Sequence, residues 1–360
     1  MKNIFLVKSP LQLLNAIEAK HYFNLDDESC VLIIMGDRKS YPQMIGLAVA
    51  CKQWNSIILM NSVGLFFGDP WVNIITDFND SKIKRETLLR SSFFTIWRLN
   101  RMVKKISNIR YIFIGDYNYV YMRHFVNSVK HDKTVLLDDG TATVGVAQNR
   151  SKNKANNLLL KKRKRIKLFL KRMFLGLKKD GLDKICFFSA YKIKIGENDE
   201  LINNNFNYIK SISQYSGVED SVYFLGSPLN EVGVMTEKSY LDQLAMVKAY
   251  FNGQHVVYVA HRREESDKLD KIRKELNMEI RLFDYPIEYQ IAILGPKPRV
   301  LASFVTSALE NLRLIMGDKL KIISFKLIDG TYARQDRMNE IYDYYNGNIS
   351  SSFLVEKLTL

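Results

Sequence analysis

The chain has 360 residues, of which 47% are hydrophobic, and it carries a formal net charge of +15. This length predicts a large buried core and two domains rather than one, and the charge favours a polyanionic partner or an anionic membrane surface. No apolar run approaches the roughly 20 residues that span a bilayer, and the amino terminus shows no cleavage-site pattern, so we expect a cytosolic protein. The cysteines share no metal-ligand spacing, which argues against a zinc site or a disulfide and predicts free thiols: Cys30, Cys51 and Cys186.

The first half of the sequence alternates apolar runs with helical stretches, which predicts a doubly wound domain with a parallel sheet. Polar residues repeatedly stand where these runs end, at the edge of the sheet where such folds bind ligands. The segment Ser9-Pro10-Leu11-Gln12 turns from the first strand into a helix. The predicted strands cover residues 2–7, 31–35, 56–60, 111–114, 134–137 and 185–189.

The triplet Asp138-Asp139-Gly140 follows one of these strands and has two interpretations. An Asp-Gly pair after a strand is an ordinary turn. Alternatively, adjacent carboxylates point in different directions, so one can be anchored while the other faces a substrate. In that case the anchored carboxylate would raise the basicity of its neighbour.

A basic amphipathic segment covers residues 150–179, with thirteen Lys or Arg residues and no acidic ones among many apolar side chains. This pattern favours an anionic membrane interface or a lipid-linked, acidic acceptor. Nucleic acid is the competing partner, but no helix-turn-helix, zinc-finger or RNP-type aromatic pattern accompanies the charge.

The second half again alternates strands and helices, with predicted strands over 222–225, 256–260 and 299–304. His261 and the pair Thr306-Ser307 each follow one of these strands. Hydroxyl groups and free N–H groups at a helix start, together with an imidazole on the neighbouring strand end, describe a phosphate pocket. The alternative is a capping box formed by Ser307 and Glu310 beside a structural histidine.

The ordered set of these motifs resembles the bacterial sialyltransferases, in the group that contains the lipooligosaccharide sialyltransferases and the capsular polysialyltransferases. The matching features span almost the whole chain in the order of the family. One departure is that the common His-Pro dipeptide of the family is here His261-Arg262, so the restraint that proline gives the loop is lost. The features are Ser9 to Gln12, Asp138 to Gly140, Gly226 to Pro228, His261, Pro286 to Glu288 and Thr306-Ser307.

The resemblance implies an α/β protein with the GT-B glycosyltransferase fold, in which two Rossmann-like domains face across a cleft. Residues 1–215 would form an acceptor-side domain that includes the Asp-Asp-Gly motif and the basic segment. Residues 216–335 would form the CMP-sugar-binding domain, and residues 336–360 would hold a helix that crosses back. The activity implied is inverting transfer of a nonulosonic acid, such as sialic, legionaminic or pseudaminic acid, from its CMP-activated form to a capsule or lipooligosaccharide acceptor.

The resemblance also implies roles for single residues. Asp139 would be the general base for the acceptor hydroxyl, with Asp138 as its neighbour in the turn. His261 would stabilise the departing CMP phosphate. Because that leaving group carries one phosphate, protein donors can offset its charge, and we expect neither a metal nor another cofactor.

The remaining implied residues bind the donor. Thr306 and Ser307 would hold the phosphate, and Glu288 would accept from the ribose hydroxyls. Further donor contacts are expected from Ser9, Gln12, Gly226, Ser227 and Ser303.

Two other functions remain open at the level of sequence. One is a GT-B glycosyltransferase that uses another sugar nucleotide. The other is a basic protein that binds a membrane surface or nucleic acid and is not an enzyme. The sialyltransferase hypothesis expects no nucleic acid partner, is compatible with a homodimer, and places the protein peripherally on the inner face of the cytoplasmic membrane.

Overall fold

The computed structural model describes residues 1–36, 39–60, 88–152, 173, 176–178, 181–213 and 217–358, with backbone only at 88–94, 141 and 337. The chain divides into two compact units, Met1–Asn204 and Asn205–Leu360. This boundary precedes the predicted one at 215/216 because the segment between them packs in the second unit. There the Ser213 hydroxyl donates to the carbonyl of Ala292 at 2.7 Å.

The first unit contains a parallel sheet of seven strands in the order β3-β2-β1-β4-β5-β6-β7. Most of the strands contain a run of buried apolar residues, because helices cover both faces of such a sheet. Its helices are α1 (Pro10–Tyr22), α2 (Tyr41–Cys51), α3 (Leu88–Lys105), α4 (Val120–Val126) and α5 (Thr141–Ser151). Its strands are β1 (Lys2–Val7), β2 (Cys30–Ile34), β3 (Ser56–Leu59), β4 (Ile109–Ile114), β5 (His131–Leu137), β6 (Cys186–Ser189) and β7 (Glu200–Asn203).

The second unit contains a parallel sheet of six strands in the order β10-β9-β8-β11-β12-β13. Its strands are β8 (Val218–Leu225), β9 (Val256–Val259), β10 (Glu279–Arg281), β11 (Lys297–Ser303), β12 (Lys321–Lys326) and β13 (Phe353–Lys357). Its helices are α6 (Asn207–Ile212), α7 (Glu237–Tyr250), α8 (Ser266–Glu275), α9 (Ile287–Tyr289), α10 (Ser307–Met316) and α11 (Gln335–Asn346). A π-helical turn, Gln290–Leu294, continues α9.

Each sheet has one position where the strand order reverses. In the first unit it lies between β1 and β4, and in the second between β8 and β11. Ligands of doubly wound folds bind beyond the carboxyl ends of the strands at such a switch point. The loops that follow β1, β4 and β5, and those that follow β8, β9 and β11, therefore carry the candidate site residues.

The carboxyl-terminal segment differs from the prediction in one respect. The predicted helix is present as α11, but the chain then adds β13, which pairs with β12 at the edge of the second sheet. Only Phe353 of β13 is buried, so the apolar run is too short to predict a strand from sequence. That α11 crosses back to the first domain stays a prediction.

The basic amphipathic segment, residues 150–179, lies mostly outside the described residues, and its character stays a prediction. Arg150 is an exception, because it belongs to the fold: its guanidinium bonds Asp199 through Nε at 2.7 Å and Nη2 at 2.6 Å. Across the part of the chain that the structure describes, no helix has the length and apolar character to cross a membrane. All three cysteines are free thiols, as predicted.

Candidate active site

The two aspartates after β5 occupy different environments. The Asp138 side chain is buried, and its Oδ2 accepts from the Ser189 hydroxyl and from the Ala190 N–H, both at 2.9 Å. Its carbonyl accepts from the Asn15 amide at 3.1 Å. Asp139 is only partly buried, and its own N–H donates to the Thr143 hydroxyl at 2.8 Å. One carboxylate therefore anchors the turn and the other keeps access to solvent.

Asp139 lies beside the start of α1. The Ser9 hydroxyl donates to Asp139 Oδ1 at 3.4 Å, and Ser9 is also the N-cap of α1, where it accepts from the Gln12 N–H at 3.3 Å. Pro10 at the first helical position suits this start because its missing N–H would be unpaired there anyway. The helix start and the β5 turn thus form one cluster of polar groups in the first unit.

The pKa of the Asp139 carboxyl is raised above its usual value, chiefly because burial disfavours the charged form. Hydrogen bonding by Gln12 opposes this shift, and the negative charge of Asp116 adds to it. The sequence predicted that Asp138 would raise the basicity of Asp139. Asp138 is not among the main causes of the raised pKa. A carboxyl with a raised pKa is a better proton acceptor, which suits a general base.

The Gln12 side chain is buried and stabilises the fold rather than lining an exposed ligand site. It is 1% exposed, and its Oε1 accepts from the N–H of Lys8 at 2.8 Å. A Cβ atom at Gly115 would overlap the Gln12 side chain, so the glycine after β4 makes room for it. Gln12 therefore links the loops after β1 and β4, and it acts on the site through Asp139.

In the second unit, His261 follows β9 and is partly buried. Its N–H donates to Glu264 Oε2 at 2.7 Å, and its carbonyl accepts from the Glu264 N–H at 2.9 Å. The ring Nδ1 accepts from the Arg263 N–H at 3.2 Å. A neutral imidazole held this way carries its proton on Nε2, which makes that atom a hydrogen-bond donor.

Thr306 and Ser307 stand at the start of α10, as predicted for an anion site. Thr306 is the N-cap, and its hydroxyl accepts from the Ala308 N–H at 3.3 Å. The alternative capping box with Ser307 as the cap is wrong, because Glu310 instead accepts from Arg313 at 2.7 and 2.8 Å. Both hydroxyl residues remain partly exposed at a helix end that favours negative charge.

Two predicted donor contacts are used inside the fold. The Ser303 side chain is fully buried, and its hydroxyl donates to the Leu225 carbonyl at 2.7 Å. The Ser227 hydroxyl donates to the Val305 carbonyl at 3.0 Å. Both serines thus fasten the loop after β8 to that after β11, and contact of either residue with the donor stays a prediction. Gly226, also buried, lies in the same loop.

Glu288 is buried, and its Oε1 accepts from the amide of Asn311 on α10 at 2.9 Å. Burial raises the pKa of the carboxyl, while the hydrogen bond from Asn311 and the charge of Arg262 oppose the rise. The predicted ribose contact is therefore tied to the same helix whose start carries Thr306 and Ser307. Sequence inspection did not single out Asn311.

Two Rossmann-like units, each with polar residues near its switch point, are the architecture of the GT-B glycosyltransferase fold, which confirms the predicted fold class. The family model described as alpha-2,8-polysialyltransferase (POLYST) matches residues 3–324. The chain belongs to this family, and the resemblance to sialyltransferases is confirmed. A search of curated proteins finds no match.

The chain is similar to several solved structures at low sequence identity. TcCGT1 in complex with UDP is 10% identical, with a TM-score of 0.51 over 100% of this chain and 86% of that chain. The GT-B domain of a sialyltransferase from Photobacterium damselae is 11% identical, with a TM-score of 0.48 over 99% and 100% of the two chains. The UDP-GlcNAc 2-epimerase of Methanocaldococcus jannaschii is 11% identical, with a TM-score of 0.47 over 100% of this chain and 89% of that chain.

Proposed function

We propose that this sialyltransferase-family protein moves a nonulosonic acid, which is sialic acid or a relative such as legionaminic or pseudaminic acid, from its CMP-activated donor to a hydroxyl of a cell-surface glycan. The acceptor would be a capsule or lipooligosaccharide chain. The observation that carries the proposal is Asp139, a partly exposed carboxylate whose pKa is raised and whose turn is anchored by buried Asp138. That arrangement suits removal of a proton from an attacking hydroxyl.

The proposed reaction is a single in-line displacement. The acceptor oxygen attacks the anomeric carbon while its proton passes to the Asp139 carboxylate. The bond between that carbon and the phosphate oxygen breaks, CMP leaves with the bonding electrons, and the anomeric configuration inverts. The Ser9 hydroxyl, at 3.4 Å from Asp139 Oδ1, helps to orient the base.

Charge develops on the phosphate of the leaving CMP. His261 is proposed to donate to it from Nε2, and the start of α10 adds the Thr306 and Ser307 hydroxyls together with the positive end of the helix dipole. These donors belong to the protein, so the proposed transfer needs no divalent ion. We expect full activity in EDTA, and a loss in chelator that magnesium or manganese restores would contradict this part of the proposal.

The ribose is proposed to bind at Glu288. A carboxylate accepts hydrogen bonds from neighbouring hydroxyls, and the Asn311 amide at 2.9 Å fixes its orientation. Asn311 lies on α10, and the start of the same helix carries Thr306 and Ser307. The distance between the proposed ribose and phosphate sites would therefore stay constant.

We also propose that the basic segment, residues 150–179, holds the enzyme on the inner face of the cytoplasmic membrane. Twelve of its thirteen cationic residues, all except Arg150, together with their apolar neighbours, suit an anionic lipid surface. This placement would bring the enzyme to acceptors that are linked to lipid.

A thermal-shift panel of nucleotides tests the donor assignment. A ligand that binds only the folded state raises the melting temperature with concentration. We expect CMP and CTP to stabilise the protein and UDP, GDP and ADP to have little effect. Equal stabilisation by UDP would favour a GT-B enzyme with another sugar nucleotide, and release of CMP from CMP-sialic acid would exclude a protein without catalytic function.

A further inference from the structure

A fully buried ion pair lies beneath the His261 loop. Lys268 Nζ is 2.6 Å from Glu264 Oε1, and both side chains are 0% exposed. Taking two charges out of water costs several kcal/mol per ion, so such a pair contributes little net stability compared with apolar residues of similar size. Its position in the fold offers a different reason for its presence.

Glu264 holds the main chain of His261. Its Oε2 accepts from the His261 N–H at 2.7 Å, while its Oε1 accepts from the Tyr258 hydroxyl at 2.5 Å. Tyr258 in turn shares a hydrogen bond with Tyr240 at 2.8 Å. The carboxylate is thus satisfied by β9, by the turn after it and by Lys268.

Lys268 holds the loop after β8. Its Nζ donates to the Ser227 carbonyl at 3.2 Å and to Asn230 Oδ1 at 2.8 Å, and lies 3.7 Å from the centre of the Tyr240 ring. The Tyr240 hydroxyl accepts from the Ser227 N–H at 3.2 Å. The ion pair therefore joins the loop after β9 to the loop after β8, and β8 borders the switch point of the second sheet.

The same turn also orients the His261 ring. Glu264 bonds both the N–H and the carbonyl of His261, and Arg263, which lies between these two residues, donates its N–H to the ring Nδ1.

We propose that Glu264 and Lys268 are positioning residues for the transfer reaction. Glu264 fixes the His261 main chain, and with it the imidazole, so that Nε2 points to the leaving phosphate. Lys268 pairs with the buried carboxylate at 2.6 Å and ties it to the Ser227 loop. The role in transfer rests on the proposed function, because it assumes that His261 acts on the donor phosphate.

Two matched double variants test whether the His261 N–H needs a hydrogen-bond acceptor at position 264. Both replace Lys268→Met, and they differ in carrying Glu264→Gln or Glu264→Leu, so neither leaves an unpaired charge at position 264 or 268. The loss of the contact between Lys268 Nζ and Glu231 Oε2, at 3.6 Å, is common to both variants and cancels in the comparison. Glutamine keeps an oxygen for the His261 N–H, and leucine does not. We expect kcat of the leucine variant to be about 10²-fold below that of the glutamine variant, because small misplacements of a catalytic group cost this much. Equal kcat values would overturn the proposal.

The same pair made in a His261→Ala background separates positioning from general stability. If Glu264 acts through His261, the two double variants should then differ little in turnover, since residues that act as a unit are not additive. A difference as large as in the native background would show a merely structural role. If the leucine variant does not fold, Glu264→Met takes its place, because methionine follows the shape of glutamine but has no oxygen for the His261 N–H. Equal kcat values for the methionine and glutamine variants would again overturn the proposal.

Nitrogen-15 NMR of the histidine rings gives a readout that does not need activity. With the His261 signal assigned from His261→Gln, wild type and the glutamine variant should show the Nε2–H form, and the leucine variant a shift toward mixed tautomers. Identical spectra for the two variants would overturn the positioning role. The expected spectra in a protein that does not transfer from CMP donors would instead overturn the proposed function and leave the positioning intact.

Discussion

Asp138 and Asp139 are adjacent in the chain, yet one is an anchor and the other is accessible. Asp138 is 2% exposed and receives two hydrogen bonds of 2.9 Å from the loop after β6, whereas Asp139 lies next to the hydroxyl of the Ser9 cap. Successive residues at the end of a strand point in different directions, which lets the pair divide these tasks. The two substitutions should therefore have different effects.

The first prediction concerns Asp139→Asn. The amide keeps the shape of the side chain but cannot accept the proton, and loss of a general base typically costs ~10²–10⁴-fold in rate. CMP affinity and melting temperature should stay near wild type, which calorimetry and thermal unfolding can check alongside turnover. The comparison variant is His261→Ala, which should weaken both turnover and CMP binding. Turnover of Asp139→Asn above about a tenth of wild type would leave the triplet as an ordinary turn.

The second prediction concerns the pH dependence of stability. Burial, opposed by hydrogen bonds from Ala190, Ser189 and Thr143, raises the pKa of Asp138 from 3.8 to about 7. Between these values the folded state binds more protons than the unfolded state, so the contribution to the free energy of unfolding is full below pH 3.8 and is lost as the pH rises through 7.

Asp138→Asn removes this titration. Urea unfolding across that pH range gives the free energy of unfolding of wild type and variant as a function of pH. The wild-type value should fall more steeply as the pH rises than the variant value, so that the two curves converge or cross. The raised pKa of Asp139 adds a slope of the same sign to both proteins, so only the difference between the curves reports on Asp138. Parallel curves would mean that Asp138 does not carry the shift.

The sequence predicted the sheets well because most of their strands are buried on both faces. The runs that became β1, β2, β8 and β11 are apolar and end at polar residues, which is also how the candidate loops were found. Short strands such as β10 escaped prediction, because three partly exposed residues have no recognisable period.

The sequence did not predict the support of the site. Glu264 and Lys268 stand in a strongly charged stretch, and such residues are usually solvated, so nothing local marks them as buried. The one feature of the sequence that could have indicated the pair is the i, i+4 spacing of Glu264 and Lys268 near the start of α8. Their burial depends on tertiary neighbours, chiefly Tyr240 and Ser227, that lie earlier in the chain. The hydrogen bonds of Ser303 and Ser227 depend on tertiary neighbours in the same way, since both hydroxyls donate to main-chain carbonyls that lie 78 residues away in the sequence.

The third prediction concerns the basic segment. Each Lys or Arg near an anionic surface contributes on the order of 1 kcal/mol to binding, so removing several charges should release the protein. The variant replaces five consecutive residues by glutamine: Lys161, Lys162, Arg163, Lys164 and Arg165. It should no longer co-sediment with vesicles that contain anionic lipid, while turnover on a soluble acceptor stays the same. Undiminished binding would remove the assigned role of the segment.

The last prediction concerns the space that Gly226 leaves for Glu264. Gly226 is not among the glycines with positive φ, so its value lies in its size. A Cβ there would overlap Glu264 Oε2 and lie 2.6 Å from the Tyr258 hydroxyl. Gly226→Ala must therefore displace the carboxylate that holds His261, and overpacking of this kind typically costs about 1–3 kcal/mol of stability.

The matched control is Gly217→Ala in the same unit. A Cβ at Gly217 would meet nothing within 4 Å, and its φ is not positive. We expect the control to unfold and turn over as wild type does. Gly226→Ala should lose kcat, and its His261 ring spectrum should move as it does when Glu264 is replaced by leucine, because both changes free the same main chain. A Gly226→Ala protein with wild-type kcat and an unaltered His261 signal would show that the loop tolerates the methyl group, and that Glu264 does not need this space to hold His261.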